Sequence, residues 1–307
     1  MDDADRPRNV SALRERIALR LTGHVGDPLE EARELLAGLH DAPRSWSMVH
    51  AMDELTDVLI DAAHNAATRR VSGAPMPYAI GRAAFRHFFL HVDERVLIPR
   101  PETEELVSLA LQFVAPQCTV VDVGTGSGAI ALALAQESAA ARVIGTDLSP
   151  GAIAVAEMNA RAVLTGECAR TEFRLGNLLE PLGDEHIDVV VSNPPYIALR
   201  ERAALPDAVR AWEPELALFG GDDGMAVIRE LVEQAEHRLT AGGVLVMEID
   251  ARRAAEALAC AAEPQWRDLA IVQDGFGRER FVVARRTAAT ARPRRESPGG
   301  AARAGPG

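Results

Sequence analysis

Asn193-Pro194-Pro195-Tyr196 closes the apolar run Ile187–Ser192, and its residue types suit one task, the holding of a planar –NH2 group. Proline has no N–H, so the carbonyls around it stay out of turn ladders and remain open to a ligand. The Asn193 amide adds a further acceptor and Tyr196 a flat face. Two acceptors for two N–H bonds, with a ring against the plane, match a conjugated nitrogen. The same four residues also read as a strand end closed by a Pro-Pro turn, and the tetrapeptide alone does not decide between the two.

A second set of residues lies upstream. Val120-Val121-Asp122-Val123 runs into Gly124-Thr125-Gly126-Ser127-Gly128, a G-x-G-x-G loop followed by the helix-forming run 129–136. Glycines in such a loop let a ligand approach the backbone at a helix N-terminus. A dinucleotide fingerprint requires G-x-G-x-x-G, so the loop by itself says only that a strand turns into a helix. Asp147 strengthens the ligand reading. It ends the next strand, where a carboxylate can accept both hydroxyls of a ribose; helix N-capping is the bland alternative, and Ser149 ahead of Pro150 can serve that role. Asn177 follows the third strand, where it can meet a base edge. One nucleoside and one planar nitrogen would therefore lie side by side at the carboxyl edge of an open α/β sheet.

The elements that must position these residues are legible as patterns. Apolar residues recur at helical spacing from Val10 to Arg70, with breaks at Gly23, Gly26 and Asp41-Ala42-Pro43. Residues 1–77 therefore read as a small helical domain. Residues 78–98 turn aromatic and β-branched and read as a β-hairpin linker. Residues 99–286 alternate strands with helices. The strands are expected at Thr119–Val123, Arg142–Asp147, Thr171–Leu175, Ile187–Ser192, 244–249, 268–273 and 281–284. Helical patterns between the first five imply a mostly parallel, seven-stranded sheet covered on both faces. Asp274-Gly275-Phe276-Gly277 is too short for a crossover, so the last strand runs antiparallel. The Pro-, Gly- and Arg-rich stretch 287–307 reads as a disordered tail.

Composition narrows the function classes. A chain of 307 residues that is 48% hydrophobic and 25% charged forms an ordinary globular core, and its longest apolar stretch, 129–135, is far short of a membrane span. The acidic start Met1-Asp2-Asp3-Ala4-Asp5 has no apolar signal region. Cys118, Cys168 and Cys260 lack C-x-x-C spacing and read as reduced thiols in a cytoplasmic protein, with no metal site. A net charge of −12 disfavours a nucleic-acid partner, whose affinity rests on phosphate neutralisation.

These segments together make the chain resemble the HemK/PrmC family of S-adenosylmethionine-dependent methyltransferases. The segments that carry the likeness are Val96-Leu97-Ile98-Pro99-Arg100-Pro101-Glu102-Thr103-Glu104, the Gly124–Gly128 loop, Asn193-Pro194-Pro195-Tyr196, and Glu213-Pro214 with Gly220-Gly221-Asp222-Asp223-Gly224. Asn-Pro-Pro-Tyr occurs in several amino-methyltransferase families; the Ile-Pro-Arg-Pro-Glu-Thr-Glu stretch is narrower. The resemblance implies a class I Rossmann-like fold and transfer of a methyl group to a glutamine side-chain amide, in a Gly-Gly-Gln-type loop of peptide-chain release factors. It implies that Gly124, Thr125, Gly126, Ser127 and Gly128 lie along the methionine part of the cofactor and that Asp147 holds its ribose. Asn177 and Leu178 would lie by the adenine. Asn193, Pro194, Pro195 and Tyr196 would hold the substrate amide, with Asn193 also meeting the cofactor, and the 99–104 segment would close over the cofactor pocket. An acidic residue is usual in the family where this chain has Asn177, so a weaker grip on adenine is expected. A glycine and a glutamine are usual where it has Asp250-Ala251-Arg252. A related amino-methyltransferase acting on a small molecule or another protein is the alternative, and both docking and stabilising roles are open for the N-terminal helices.

Overall fold

In a computed structural model the chain is described over residues 6–164, 170–261 and 264–287. The tail expected at 287–307 falls outside the described residues beyond Thr287, as does Cys168; Cys118 and Cys260 are free thiols. No described helix is long and apolar enough to cross a membrane.

The N-terminal helices begin where short polar side chains can satisfy the first free N–H groups. Asn9 caps α1 (Val10–Leu21) by accepting from Ala12, and Asp27 caps α2 (Pro28–His40) by accepting from Leu29 and Glu30. A short α3 (Trp46–Val49) follows, then α4 (Asp57–Val71), capped by Thr56. Leu13, Ile17 and Leu21 of α1 fall on one helical face and pack against Leu35, Leu36, Ile60 and Ala67 in a small separate core.

The linker differs in part from its expected form. Tyr78 to Ile80 belong to a helical turn, α5 (Met76–Ile80), and the hairpin is confined to β1 (Arg82–Phe85) and β2 (Phe88–His91). Pro77 near the helix start and left-handed Gly81 at its end favour a turn over a strand there. Tyr78 is buried, and its hydroxyl donates to the Val96 carbonyl at 2.6 Å, tying the helical region to the chain leading into α6 (Pro101–Ala110).

The main sheet is built from β3 (Thr119–Val123), β4 (Arg142–Asp147), β5 (Thr171–Leu175), β6 (Ile187–Ser192), β7 (Leu239–Glu248), β8 (Trp266–Gln273) and β9 (Glu279–Arg286). Its order is β5-β4-β3-β6-β7-β9-β8, with β9 antiparallel to both neighbours. The helices α7 (Ala129–Glu137), α8 (Pro150–Val163), α9 (Asp207–Trp212), α10 (Glu215–Leu218), α11 (Ala226–Arg238) and α12 (Ala254–Cys260) complete the domain. Alternation along the strands puts Val120, Val189, Val191, Val244 and Val246 into the core under α6 and α7. Val121, Val190, Leu245 and Met247 face the core under α11 and α12. Burial on both faces is why these strands read as near-continuous apolar runs.

Asn159, on α8, is a buried polar staple. It accepts from the His91 N–H at 2.8 Å and donates to the carbonyls of His91 and Ser127, joining the hairpin to the glycine loop. Asn159→Leu leaves three backbone groups unpaired in an apolar core. The expected loss is about 1–3 kcal/mol for each group that water cannot reach, read as a lower urea midpoint at unchanged slope.

Candidate active site

β3 and β6 are adjacent, and the chain leaves them in opposite directions, β3 toward β4 and β6 toward β7. Crevices at the carboxyl ends of strands open at such a switch point. Register then fixes which side chains meet there. Ser192 pairs with Met247, so the next residues, Asn193 and Glu248, stand side by side. Both continue the face that carries Val191 and Val246, the face covered by α6.

Two cavities occupy this edge. The first, of about 180 Å³, is lined by Gly124, Gly126, Asp147, Asn177 and Leu178, with Arg95 to Leu97 over it. The second, of about 210 Å³, is lined by Pro194 and Tyr196 with Arg100, Leu205 and Val209. Leu97, Asn193, Pro195 and Ala217 line both, so a single wall separates them.

The first cavity combines glycine backbone, a carboxylate and an amide in its lining. Gly126 has φ +54°, and a Cβ there would meet nothing within 4 Å, so the residue is needed for its backbone conformation and leaves open space for a ligand. The Asp147 carboxylate accepts from the Gly126 N–H at 2.9 Å with one oxygen and from the Ser149 N–H at 2.8 Å with the other. Each oxygen keeps a lone pair for a hydroxyl. Burial raises this carboxyl above its usual range, while the bonds from Ser149 and Gly126 pull it back. Asn177 donates to Glu230 Oε1 at 2.6 Å, which leaves its own oxygen as the acceptor available to an amine. Gln234 also donates to Glu230 and accepts from the Leu179 N–H, so α11 holds the whole turn that carries Asn177 and Leu178.

Thr125, Ser127 and Gly128 do not line that cavity. The Thr125 hydroxyl turns inward and donates to Asp122 at 2.6 Å, Ser127 is buried, and Gly128 caps α7 in the left-handed region. Asp122 supports the loop from beneath, accepting from the Ala131 N–H as well, and burial pushes its carboxyl up to about 7.

In the second cavity the Asn-Pro-Pro-Tyr turn is held by pairing with residues 218–221. Ile197 and Leu218 bond through the backbone, as do Gly220 with Ile197 and Leu199 with Gly221. A Cβ on Gly220 would lie 2.3 Å from the Pro195 carbonyl oxygen, so only glycine permits this approach. Among the described residues the Pro194 carbonyl accepts no hydrogen bond. Burial pushes the Tyr196 hydroxyl up to about 12, so the ring stays neutral. Arg100 chelates both oxygens of the buried Glu213 at 2.5 and 2.7 Å, fastening the linker segment to the end of α9.

Asn193 is fixed from behind. Its Nδ2 donates to the Thr103 hydroxyl at 3.1 Å, and that hydroxyl donates to Glu248 Oε2 at 2.8 Å. The 99–104 segment therefore does not roof the first cavity, which Arg95 to Leu97 cover. It supplies Arg100 to the second cavity and Thr103 to Asn193. Gly124, Gly126, Asp147, Asn177, Leu178 and the 193–196 turn, all singled out in the sequence, are brought to this edge by the fold; Asp122, Glu248 and Glu230 are not singled out there, and Thr103 only as part of the 99–104 segment expected over the cofactor pocket. A buried acid just before a glycine loop was the one available signal, at Asp122. Among the described residues no cluster of metal-ligating side chains occurs.

The chain is similar to known proteins over most of its length. Residues 12–81 match the PrmC N-terminal domain and residues 105–209 the methyltransferase small domain. A release factor glutamine methyltransferase of Cereibacter sphaeroides is 36% identical over 92% of this chain and 100% of its own length. One of Moorella thermoacetica is 38% identical over 90% of this chain and 97% of its own. Among solved structures, a methyltransferase from Pyrococcus furiosus aligns with a TM-score of 0.48 at 16% identity, over 65% of this chain and 88% of that one.

Proposed function

The chain belongs to the release factor glutamine methyltransferase family, and we propose that it methylates the side-chain amide nitrogen of a glutamine in a peptide-chain release factor, with S-adenosylmethionine as donor. The observation that supports the reading is the shared wall, with the glycine loop, Asp147 and Asn177 lining the cavity on one side and Pro194 and Tyr196 the cavity on the other.

The first cavity suits the cofactor. Gly124 and Gly126 would flank its amino-acid arm, Asp147 would accept from the ribose hydroxyls, and Asn177 with Leu178 would meet the adenine. When bound, the cofactor supplies a methyl group already activated on a sulfonium. What the protein must supply is orientation, because an amide nitrogen shares its lone pair with the carbonyl. Asn193 Oδ1 and the Pro194 carbonyl accept the two N–H bonds, and the Tyr196 ring holds the amide plane. The nitrogen then faces the shared wall in line with the donor, and such alignment is worth about 7–11 kcal/mol of a barrier. Transfer would release the demethylated thioether and one amide proton, which would pass to solvent; no histidine lines either cavity.

The Asn177–Glu230 pair compensates for the missing acidic residue, because Glu230 takes the amide protons and turns Asn177 Oδ1 toward the adenine amine. Glu230→Ala is expected to raise the Kd of the cofactor about three- to tenfold, the value of one modest hydrogen bond, with kcat at saturation unchanged. Isothermal titration with the cofactor measures it.

The test of the activity is incubation with labelled S-adenosylmethionine and a mixture of release factor, tRNA and DNA fragments. Label in the release factor alone supports the reading. Label in nucleic acid, or in a small-molecule fraction of a lysate from the same source, favours one of the related amino-methyltransferase activities instead.

A further inference from the structure

The buried chain behind Asn193 has a direction, and that direction decides what Asn193 can do. Thr103 is 5% exposed and Glu248 1% exposed, so water does not compete for their hydrogen bonds. The Thr103 hydroxyl has one proton and two lone pairs. A carboxylate has no proton to give, so Thr103 must spend its proton on Glu248 and can only accept from Asn193. Asn193 is then obliged to present its Nδ2 to Thr103 and its Oδ1 to the cavity. A neutral Glu248 removes the obligation. Its carboxyl proton can be given to Thr103, the threonine proton becomes available to Asn193 Oδ1, and the amide can turn over. An overturned Asn193 shows N–H groups to a substrate nitrogen that needs an acceptor.

Resting on the function proposed above, we infer that Glu248 and Thr103 are positioning residues for the reaction, and that the charge on Glu248 sets which end of the Asn193 amide faces the substrate. The order of the chain follows from the fold. β6–β7 register puts Asn193 beside Glu248, and α6 lays Thr103 across them.

The same geometry makes the device sensitive to pH. Burial pushes the Glu248 carboxyl up to about 7, and the Thr103 hydroxyl pulls it down. Arg280 on β9 and Arg100 ahead of α6 favour the charged form, whereas Glu102 on α6 opposes it. Tyr196 also faces this group and is neutral throughout. The competent form is the carboxylate, so turnover falls as pH drops through the Glu248 pKa.

The experiment measures kcat, cofactor KM and cofactor Kd against pH for the full chain with a release-factor substrate, in wild type, E248Q, T103V and T103S. A glutamine at position 248 can either donate to Thr103 or accept from it, so it lifts the obligation as a neutral Glu248 does, and valine at 103 removes the hydroxyl without changing its shape. E248Q and T103V are expected to lose about 10- to 100-fold in kcat, the cost of one mis-paired buried hydrogen bond. Both keep the cofactor Kd and lose the acidic limb of the kcat profile. T103S retains the rate and the limb, and a normal cofactor Kd in each preparation shows that the variant is folded. Wild-type kcat in T103V, or an acidic limb that persists in T103V or E248Q, overturns the inference while leaving the activity intact. A wild-type protein that transfers no methyl to the release factor overturns the activity itself.

Discussion

Asn193→Ala is expected to lower kcat for release-factor methylation by about 10²–10³-fold, the usual cost of removing one preorganised polar group from a reacting centre. In the proposed clamp the substitution takes away the acceptor for one N–H of the substrate amide. It also leaves the buried Thr103 hydroxyl without its donor. The Pro194 carbonyl remains, so the amide is still held at one point, but its plane is free to swing away from the donor. Loss of alignment acts on the chemical step, so the fall appears in kcat and only weakly in the KM for the cofactor. Single-turnover rates at saturating cofactor, with the cofactor Kd measured in parallel, check this. Near-normal turnover with unchanged cofactor binding would remove the amide clamp from the mechanism.

Asp147→Ala should act on the other side of the wall. In the proposed cofactor site the carboxylate would accept two ribose hydroxyls, and hydrogen bonds to a charged acceptor contribute about 1.5–3 kcal/mol each. The same oxygens hold the Gly126 and Ser149 N–H groups, so the glycine loop loses an anchor too. Cofactor affinity is therefore expected to fall about 10²–10³-fold, while kcat at saturating cofactor changes by less than about tenfold. Calorimetric titration separates the outcomes. A Kd within about threefold of wild type would place the ribose elsewhere.

Much of this was legible in the sequence because it is local. Asp147, Asn177 and Asn193 each stand at or just beyond the end of a strand whose apolar run is easy to see, and the glycine loop announces its own turn. The mostly parallel sheet followed from the alternation of strands and helices, and its antiparallel last strand from the short Asp274–Gly277 connection; the strand order did not. What the sequence hid is contact across distance. Thr103 and Asn193 are 90 residues apart, and Thr103 and Glu248 145. Their meeting depends on the β6–β7 register and on how α6 crosses the sheet. Glu230 was hidden for the same reason, being 53 residues beyond Asn177 on a helix that reads as an ordinary charged face. Thr125 and Ser127 went the other way. They sit in the motif, but Thr125 turns inward onto Asp122 and Ser127 is buried.

The central claim is that the group methylated is a glutamine amide, and fragmentation mass spectrometry of the treated release factor tests it most directly. After incubation with this protein and S-adenosylmethionine, the account predicts one added methyl, carried on the side-chain nitrogen of a single glutamine. That methyl is absent when the glutamine is changed to alanine and accumulates far more slowly with the Asn193→Ala protein. A methyl group on any other residue, or an unmodified glutamine in the presence of a protein that binds the cofactor, would contradict it.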